Sequence, residues 1–171
     1  MDLREFIRTI PDFPAPGILF RDITPLLAAP EAFRAALDGL ASHARSSEPG
    51  AIVAIESRGF LFGAPLADRL GLPLIPVRKP GKLPAARQSV EYSLEYGENR
   101  LDIHDDALQR GTRAFIVDDV LATGGTALAT AKLVELIGGV AAGFGFVIEL
   151  EALGGAARLQ QYPVASLVQY A

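Results

Sequence analysis

Residues 114–127 read AFIVDDVLATGGTA, and this stretch is the most informative part of the chain. An apolar run of strand length ends in two adjacent carboxylates, Asp118 and Asp119, and a loop of small residues follows before a helical pattern begins. Such a loop can hold a phosphate through its N–H groups and the positive end of the next helix. Carboxylates at the strand end can accept hydrogen bonds from ribose hydroxyls. The stretch therefore predicts a nucleotide-phosphate site between a strand and a helix.

Other interpretations of the same residues explain less of the pattern. Two aspartates after a strand can be a helix cap and a solvated charge, and Thr-Gly-Gly-Thr can be an ordinary turn. Neither explains why strand, paired acids, glycine loop and helix occur in that order. The stretch is not a Walker loop, because it lacks Gly-Lys-Ser/Thr. Gly143 and Gly145 do not form a dinucleotide fingerprint, because they lie inside an apolar run that opens no helix.

Apolar runs and helical patterns alternate along most of the chain. We predict strands at residues 51–55, 72–77, 113–117, 140–150 and 164–170 and helices at residues 30–44, 60–70 and 126–137. We also predict a short opening helix with Leu3, Phe6, Ile7 and Ile10 on one face. This alternation predicts an α/β fold, a doubly wound and mostly parallel sheet flanked by helices. Ligands of such sheets bind beyond the carboxyl ends of the strands. The polar loops after Ile55, Val77 and Val117 are therefore expected to converge on one site.

The connection at residues 78–99 is long for a compact domain, and long connections are often lids. It begins with four cations and no acid within ten residues, Arg78, Lys79, Lys82 and Arg87. A cationic segment in a chain of net charge −4 suggests a local anionic ligand. Residues 92–96 alternate like one strand of an exposed hairpin.

Composition limits the remaining classes. The 171 residues are expected to form a single domain. The net charge of −4 argues against a nucleic-acid partner. No apolar stretch reaches the roughly 18 residues needed to cross a bilayer, and residues 1–5 do not resemble a signal peptide. There is no cysteine, which is compatible with the cytoplasmic location we predict.

The strand–acid–glycine stretch closely resembles the signature of the type I phosphoribosyltransferases, which bind 5-phosphoribosyl 1-diphosphate (PRPP). Three further segments resemble the adenine-specific members of that family. Residues 13–23 (FPAPGILFRDI) resemble their base-binding segment, and residues 56–60 (ESRGF) their diphosphate loop. Residues 78–84 (RKPGKLP) and 92–97 (YSLEYG) resemble their flexible catalytic loop. The resemblance covers nearly the whole chain in order.

The resemblance implies a parallel sheet with a small N-terminal hood, at about residues 11–27, and a flexible catalytic loop at about residues 78–99. It implies transfer of phosphoribose from PRPP to adenine, which gives AMP and diphosphate. Mg²⁺ would be the cofactor, held mainly by PRPP rather than by a protein metal site. Similar enzymes are homodimers in which basic residues approach the neighbouring diphosphate site, and Lys82 is our candidate for that crossing.

The resemblance also assigns roles to individual residues. Asp118 and Asp119 would hold the ribose hydroxyls and take part in catalysis. Arg58 would bind diphosphate from a loop with a cis peptide between Glu56 and Ser57. The groups expected to grip the 5′-phosphate are Ala122, Thr123, Gly124, Gly125 and Thr126. The remaining predicted site residues are Lys79 and Lys82 for PRPP, Leu19 and Arg21 beside adenine, Glu95 as acceptor of the N9 proton, and Tyr96 from the closing loop.

Two groups of alternatives stay open at this point. One is a phosphoribosyltransferase for xanthine, hypoxanthine–guanine or orotate. Oxo-purine enzymes commonly place a lysine after the signature, and residues 127–131 contain none before Lys132. The other is a PRPP-sensing regulator of the same fold. Such regulators usually carry a DNA-binding domain, and only residues 1–10 precede the hood segment.

Overall fold

The computed structural model of the chain describes residues 1–94 and 97–171. They form two compact units, residues 1–39 and residues 40–171. The predicted hood segment belongs to the first unit, and the predicted flexible loop belongs to the second. Among the described helices, none is both long and apolar enough to cross a membrane.

The first unit contains a small antiparallel hairpin. A 3₁₀ helix, Leu3–Phe6, precedes strands β1 (Arg8–Pro11) and β2 (Leu19–Asp22). A short helix α1 (Thr24–Ala28) follows, and helix α2 (Pro30–Ser46) crosses into the second unit. The predicted opening helix is wrong for Ile10, which lies in β1 opposite Phe20. Cross-strand pairing between β1 and β2 outweighs the helical spacing of the apolar residues there.

Asp22 fixes the end of this hairpin. Its carboxylate accepts the backbone N–H of Thr24 at 2.9 Å and pairs with Arg8 at 2.6 Å. The Thr24 N–H and the Arg8 guanidinium lower the pKa of Asp22 below its ordinary value. Asp22 therefore pairs with Arg8 across the two strands.

The second unit is built on a five-stranded, all-parallel sheet, which confirms the predicted fold class. The strand order is β4–β3–β7–β8–β9. The strands are β3 (Ala51–Ile55), β4 (Leu74–Val77), β7 (Arg113–Leu121), β8 (Val140–Leu150) and β9 (Val164–Tyr170). Central strands β3 and β8 are almost uniformly buried, as apolar runs covered on both faces must be.

Helices cover both faces of this sheet. Helix α3 (Gly59–Leu70) packs so closely on β3 that a Cβ on Gly63 would overlap Ala54. Helix α4 (Gly125–Leu136) shares a core with Val53 and Ile55, which point to the opposite face because side chains alternate along a strand. The sheet is therefore doubly wound. A short helix α5 (Gly155–Arg158) connects β8 to β9.

The long connection after β4 forms a second antiparallel hairpin, as its alternation predicts. Strands β5 (Arg87–Leu94) and β6 (Gly97–His104) pair from Arg87 opposite His104 onward. The root of the hairpin is attached to the sheet, because Asp102 and Arg78 exchange both backbone hydrogen bonds at 2.8 and 3.0 Å. The hairpin also packs on α4. This connection is therefore a paired hairpin whose base is hydrogen-bonded to the residue that follows β4.

Strand β7 is longer than its apolar run. The prediction ended the strand at Val117, but β7 continues to Leu121 and contains Asp118 and Asp119. The reason is the length of β8, since Val120 and Leu121 still pair with Ile148 and Glu149. The two carboxylates are therefore held by strand geometry rather than by a loop.

Candidate active site

A cavity opens where one neighbour of β7 ends before the other. Strand β3 pairs with β7 only as far as Val117, whereas β8 pairs with it through Leu121. The chain leaves β3 at Glu56, so the β3 side of Asp118 and Asp119 is uncovered by strand. A cavity of about 240 Å³ lies there. Its lining residues are Glu56, Ser57, Arg58, Lys79, Tyr92, Asn99, Leu101, Asp118, Asp119 and Thr126.

Asp119 and Arg58 form an ion pair inside this cavity. The Arg58 Nε donates to Asp119 Oδ2, although the two residues are far apart in sequence. Asp119 is only 3% exposed, whereas the Arg58 side chain is about half exposed. The peptide between Glu56 and Ser57 is cis, as predicted. The structure thus brings together the predicted ribose and diphosphate groups.

Gly59 lets the Arg58 loop approach β7. A Cβ there would lie 2.9 Å from the Val117 carbonyl oxygen and 3.1 Å from Asp118 Oδ1. The first of these neighbours is backbone, which cannot move aside easily. The glycine after Arg58 is therefore required by the close packing of helix α3 against Val117 and Asp118.

Asp118 has an unusual electrostatic setting. It is half-buried, and its Oδ1 accepts the backbone N–H of Asp119 at 2.8 Å. Burial, and then the neighbouring charge of Asp119, raise the pKa of Asp118 well above its ordinary value. A carboxyl group that holds its proton more tightly than usual therefore lies beside Asp119 on β7.

Asp118→Asn is expected to make the protein more stable than wild type at neutral pH. A carboxyl whose pKa is raised by folding holds its proton more tightly in the folded state. Its contribution to stability is lost as pH rises from the ordinary value of 3.8 through the raised one. Asparagine does not ionise, so the variant does not lose this stability as pH rises. Its side-chain oxygen can still accept the Asp119 N–H. Urea unfolding at about pH 4 and about pH 8 measures the change in free energy of unfolding with pH.

The control for this measurement is Asp106→Asn, which removes an exposed carboxylate between β6 and β7. The stability gain of Asp118→Asn over wild type should grow with pH, and the gain should exceed that of the control. A variant less stable than wild type at neutral pH would contradict the assignment.

The predicted phosphate loop caps helix α4. Gly124 has φ +83°, a left-handed conformation that favours glycine, and it places the next N–H groups at the helix start. No side chain caps this helix, and its first turn carries no acid. The amide groups of the first turn are therefore not used by a helix cap. Thr126 lines the cavity, Gly125 begins the helix, and residues 122–124 form the adjoining turn.

Arg158 lies beside this turn and was not predicted. The Arg158 Nη1 lies 3.3 Å from the position that a Cβ on Gly125 would occupy. The Arg158 Cβ lies 3.4 Å from the corresponding position on Gly124. Arg158 ends helix α5, on the connection after β8. Nothing in the local sequence near Arg158 indicates a phosphate site, so only the fold places this cation by the loop.

Part of the positive charge of the cationic segment, residues 78–87, is neutralised by carboxylates of the same chain. Arg78 pairs with Glu56 at 3.2 Å, and Arg87 lies 3.5 Å from the fully buried Asp102. Burial alone would raise the pKa of Glu56, but the Lys79 N–H and the Arg78 guanidinium outweigh it and lower that pKa. Lys79 lines the cavity, and Lys82 is exposed and is not among the lining residues.

The remaining predicted residues lie elsewhere. Leu19 and Arg21 are on one face of β2 in the first unit, and Leu19 is 55% exposed. Glu95 and Tyr96 lie outside the described residues. The hairpin residues Tyr92, Asn99 and Leu101 also line the cavity, although none of them was predicted as a site residue. For Tyr92, the alternation of residues 92–96 was the available signal.

Comparisons with known proteins agree with this geometry. Residues 24–153 match the model of the phosphoribosyl transferase domain. A curated relative from a Synechococcus species, named adenine phosphoribosyltransferase, is 59% identical over 170 residues. The alignment covers 99% of this chain and 99% of the relative.

Solved structures give the same result. The adenine phosphoribosyltransferase of Thermoanaerobacter pseudethanolicus superposes with a TM-score of 0.95 at 51% identity, with 98% of each chain covered. The Saccharomyces cerevisiae enzyme, solved with an imino-altritol bisphosphate and adenine, gives a TM-score of 0.92 at 39% identity, with 96% of each chain covered. This chain therefore belongs to the phosphoribosyltransferase family and, within it, to the adenine phosphoribosyltransferases.

Proposed function

We propose that this chain transfers 5-phosphoribose from PRPP to adenine, giving AMP and diphosphate, and that the cavity at the end of β7 holds PRPP. The observation that carries the proposal is the shared cavity of Asp118, Asp119, Arg58 and Thr126. It combines acceptors for a ribose diol, a cation for diphosphate, and a helix start for a phosphate. The yeast relative, which binds adenine, supports the choice of base.

The cavity residues suit the charges that develop during the transfer. Breaking the bond between C1′ and the diphosphate oxygen leaves a ribose with cationic character and a strongly anionic leaving group. Asp118 and Asp119 hold the ribose 2′- and 3′-hydroxyls and favour the developing cation. Arg58 and Lys79 favour the departing diphosphate. A guanidinium has five N–H donors, so Arg58 can bond Asp119 and diphosphate together.

Residues 122–126 grip the 5′-phosphate, using the N–H groups of the turn and the Thr126 hydroxyl. The positive end of helix α4 stabilises the doubly charged phosphate. No acid stands in the first turn to repel it. The phosphate thus anchors the end of the ribose that does not react.

Mg²⁺ fits this site as a companion of PRPP. Asp118 and Asp119 offer two carboxylates, and no described group of three or more His, Cys, Asp or Glu side chains could hold a metal. Mg²⁺ commonly binds through one or two carboxylates together with substrate phosphates. When bound, the ion would neutralise charge on the diphosphate. Asp118 or Asp119 would be its protein contacts.

Adenine must lose its N9 proton as the new bond to C1′ forms. Glu95 accepts that proton, and Tyr96 closes over the site with it. Leu19 and Arg21 border the base. Their placement on the same face of β2 supports a shared ligand contact, with an apolar side chain for the ring and a cation at its edge.

AMP formation is expected with adenine, PRPP and Mg²⁺, and with no other base at a comparable rate. The purified chain would be incubated with adenine, hypoxanthine, guanine, xanthine or orotate, and products separated by chromatography. Chelation of the divalent metal should abolish turnover. A faster reaction with an oxo-purine or orotate would contradict the base assignment. Binding of PRPP without reaction of any base would favour a regulator.

The active unit is a homodimer in which Lys82 contributes to the neighbouring site. The enzyme acts in the cytoplasm. Lys82 is exposed and is not among the residues that line the cavity of its own chain, which supports action across a two-fold interface. A further cation near the diphosphate would offset its charge without crowding Arg58 and Lys79.

Mixed dimers test this arrangement. If Lys82 acts across the interface, exchange between Lys82→Ala and Asp119→Asn dimers leaves one site intact in each heterodimer, and heterodimer activity should recover to about half of wild type. The control mixes Asp118→Asn with Asp119→Asn, which damages one site in each chain and should give no recovery. Failure of the first mixture to recover, or an active monomer, would contradict the proposal.

A further inference from the structure

The hairpin and the phosphate loop meet at one hydrogen bond that the proposed mechanism does not use. The hydroxyl of Tyr92, on β5, lies 3.0 Å from Thr126 Oγ1, in the first turn of α4. Both side chains are half-buried, and both line the cavity that contains Asp118 and Asp119. The Tyr92 ring lies beside Gly125, with Cδ2 and Cε2 3.4 and 3.8 Å from where a Cβ would be. A Cβ at this position would be in ordinary van der Waals contact with the ring, so the Tyr92 side chain packs against the first residue of α4.

The direction of the Tyr92–Thr126 hydrogen bond decides whether the Thr126 hydroxyl can donate its proton to a ligand. A threonine hydroxyl has one proton and two lone pairs, and so does a tyrosine hydroxyl. Among the described residues, no other group bonds Thr126 Oγ1; the Thr130 hydroxyl donates to the Thr126 backbone carbonyl instead. If Tyr92 donates, the Thr126 proton is available to a second acceptor in the cavity. If Thr126 donates, its only proton is used.

A phosphate at the helix start selects between these two directions. Its oxygens are strong, charged acceptors, so the favoured chain runs from Tyr92 to Thr126 to phosphate. Each bond in such a chain polarises the next one. The hydroxyl of Thr126 is also held in one orientation, which lowers the entropy lost when the ligand binds.

We propose that Tyr92 is a positioning residue of the phosphoribosyl site, whose hydroxyl donates to Thr126 Oγ1 so that Thr126 donates to the 5′-phosphate. This inference rests on the proposed function. Tyr92 stands on β5 three residues before Glu95. The same bond therefore joins the phosphate loop to the hairpin that carries the proposed proton acceptor.

The test is Tyr92→Phe, which keeps the ring beside Gly125 and removes only the hydroxyl. Calorimetry would measure binding of ribose 5-phosphate, AMP, adenosine and diphosphate. We expect the Kd of ribose 5-phosphate and AMP to rise about tenfold. The Kd of adenosine and diphosphate should not change, because neither presents a 5′-phosphate. The KM for PRPP should rise more than kcat falls.

Tyr162→Phe is the matched control. It also removes one tyrosine hydroxyl that bonds a side chain, since Tyr162 donates to Glu135 at 2.9 Å outside the cavity lining. It should leave all four Kd values unchanged. Thr126→Val removes the other half of the bond, and Tyr92→Phe should add nothing in that background. This double mutant separates positioning from a general loss of stability.

Unchanged binding of ribose 5-phosphate by Tyr92→Phe would overturn the inference. Tighter binding would also overturn it, because Tyr92 would then occupy the place of a phosphate oxygen. Equal loss for adenosine and AMP would indicate general damage rather than positioning. If wild type itself fails to bind ribose 5-phosphate, the proposed function fails, and this inference fails with it. If Tyr92→Phe does not fold, normal binding of ribose 5-phosphate by Thr126→Val overturns the inference.

Discussion

Asp119→Asn is expected to lower kcat/KM for PRPP by about 10²- to 10³-fold. Asp119 is almost fully buried and paired with Arg58, so its charge lies in a site where water screens little. The amide keeps the shape but removes the charge that favours a cationic ribose. It also removes the carboxylate to which the Arg58 Nε donates. Steady-state kinetics with PRPP varied at saturating adenine would measure the loss.

Asp106→Asn is the control, since the chain contains a second Asp-Asp pair, Asp105 and Asp106, without a glycine loop. Asp106 is exposed, and the control should keep wild-type kinetics. Circular dichroism would verify that Asp119→Asn is folded. A folded Asp119→Asn enzyme with near-normal kcat/KM would remove this carboxylate from the mechanism.

Glu95→Gln is expected to lower kcat by about 10²- to 10⁴-fold, with a smaller effect on adenine binding. Glutamine has the size of glutamate but cannot accept the N9 proton. The loss should therefore appear in the transition state more than in the ground state. The pH profile of kcat should also lose the limb due to this base. Single-turnover measurements across pH would ensure that chemistry, not product release, is observed.

The matched control is Glu91→Gln, an exposed glutamate on strand β5 of the same hairpin. It should leave kcat and its pH profile unchanged. Tyr96→Phe in parallel tests whether that hydroxyl contributes beyond packing. If Glu95→Gln retained wild-type single-turnover rates at every pH, another group or solvent would accept the proton.

The strands and helices of the sheet unit were predictable because the sequence patterns that specify them lie within a few neighbouring residues. The run before Asp118 is apolar at every position, so it had to be a buried strand. Gly71 ends helix α3 in the left-handed conformation, as a glycine after a helix usually does. Residues 30–44 were predicted as a helix and lie in α2. The opening helix failed because pairing between β1 and β2 is a contact that helical spacing cannot reveal. Strand β7 was predicted too short because its last residues are held by pairing with β8.

The site was predictable where its residues are contiguous. Asp118, Asp119 and the glycine turn are neighbours in sequence, so their order alone indicated a phosphate and a ribose. The partners of those groups were not predictable in this way. Arg158 reaches the turn through α5, and Tyr92 reaches Thr126 through the hairpin. The segment around Arg158 carries no local motif, and the segment around Tyr92 indicated only a hairpin and a resemblance to a catalytic loop. The sequence therefore did not indicate that either side chain reaches the phosphate turn.

The alternation of strands and helices, the glycine turn and the two carboxylates can be inferred from the sequence, because short-range sterics and hydrophobic periodicity act on neighbouring residues. The tertiary structure sets the length of β7, since pairing with β8 carries it to Leu121. It also decided the cavity, which exists because β3 stops beside Val117 while β8 continues. Strand order and register arise from contacts between distant segments, and those contacts are fixed only when the whole sheet packs.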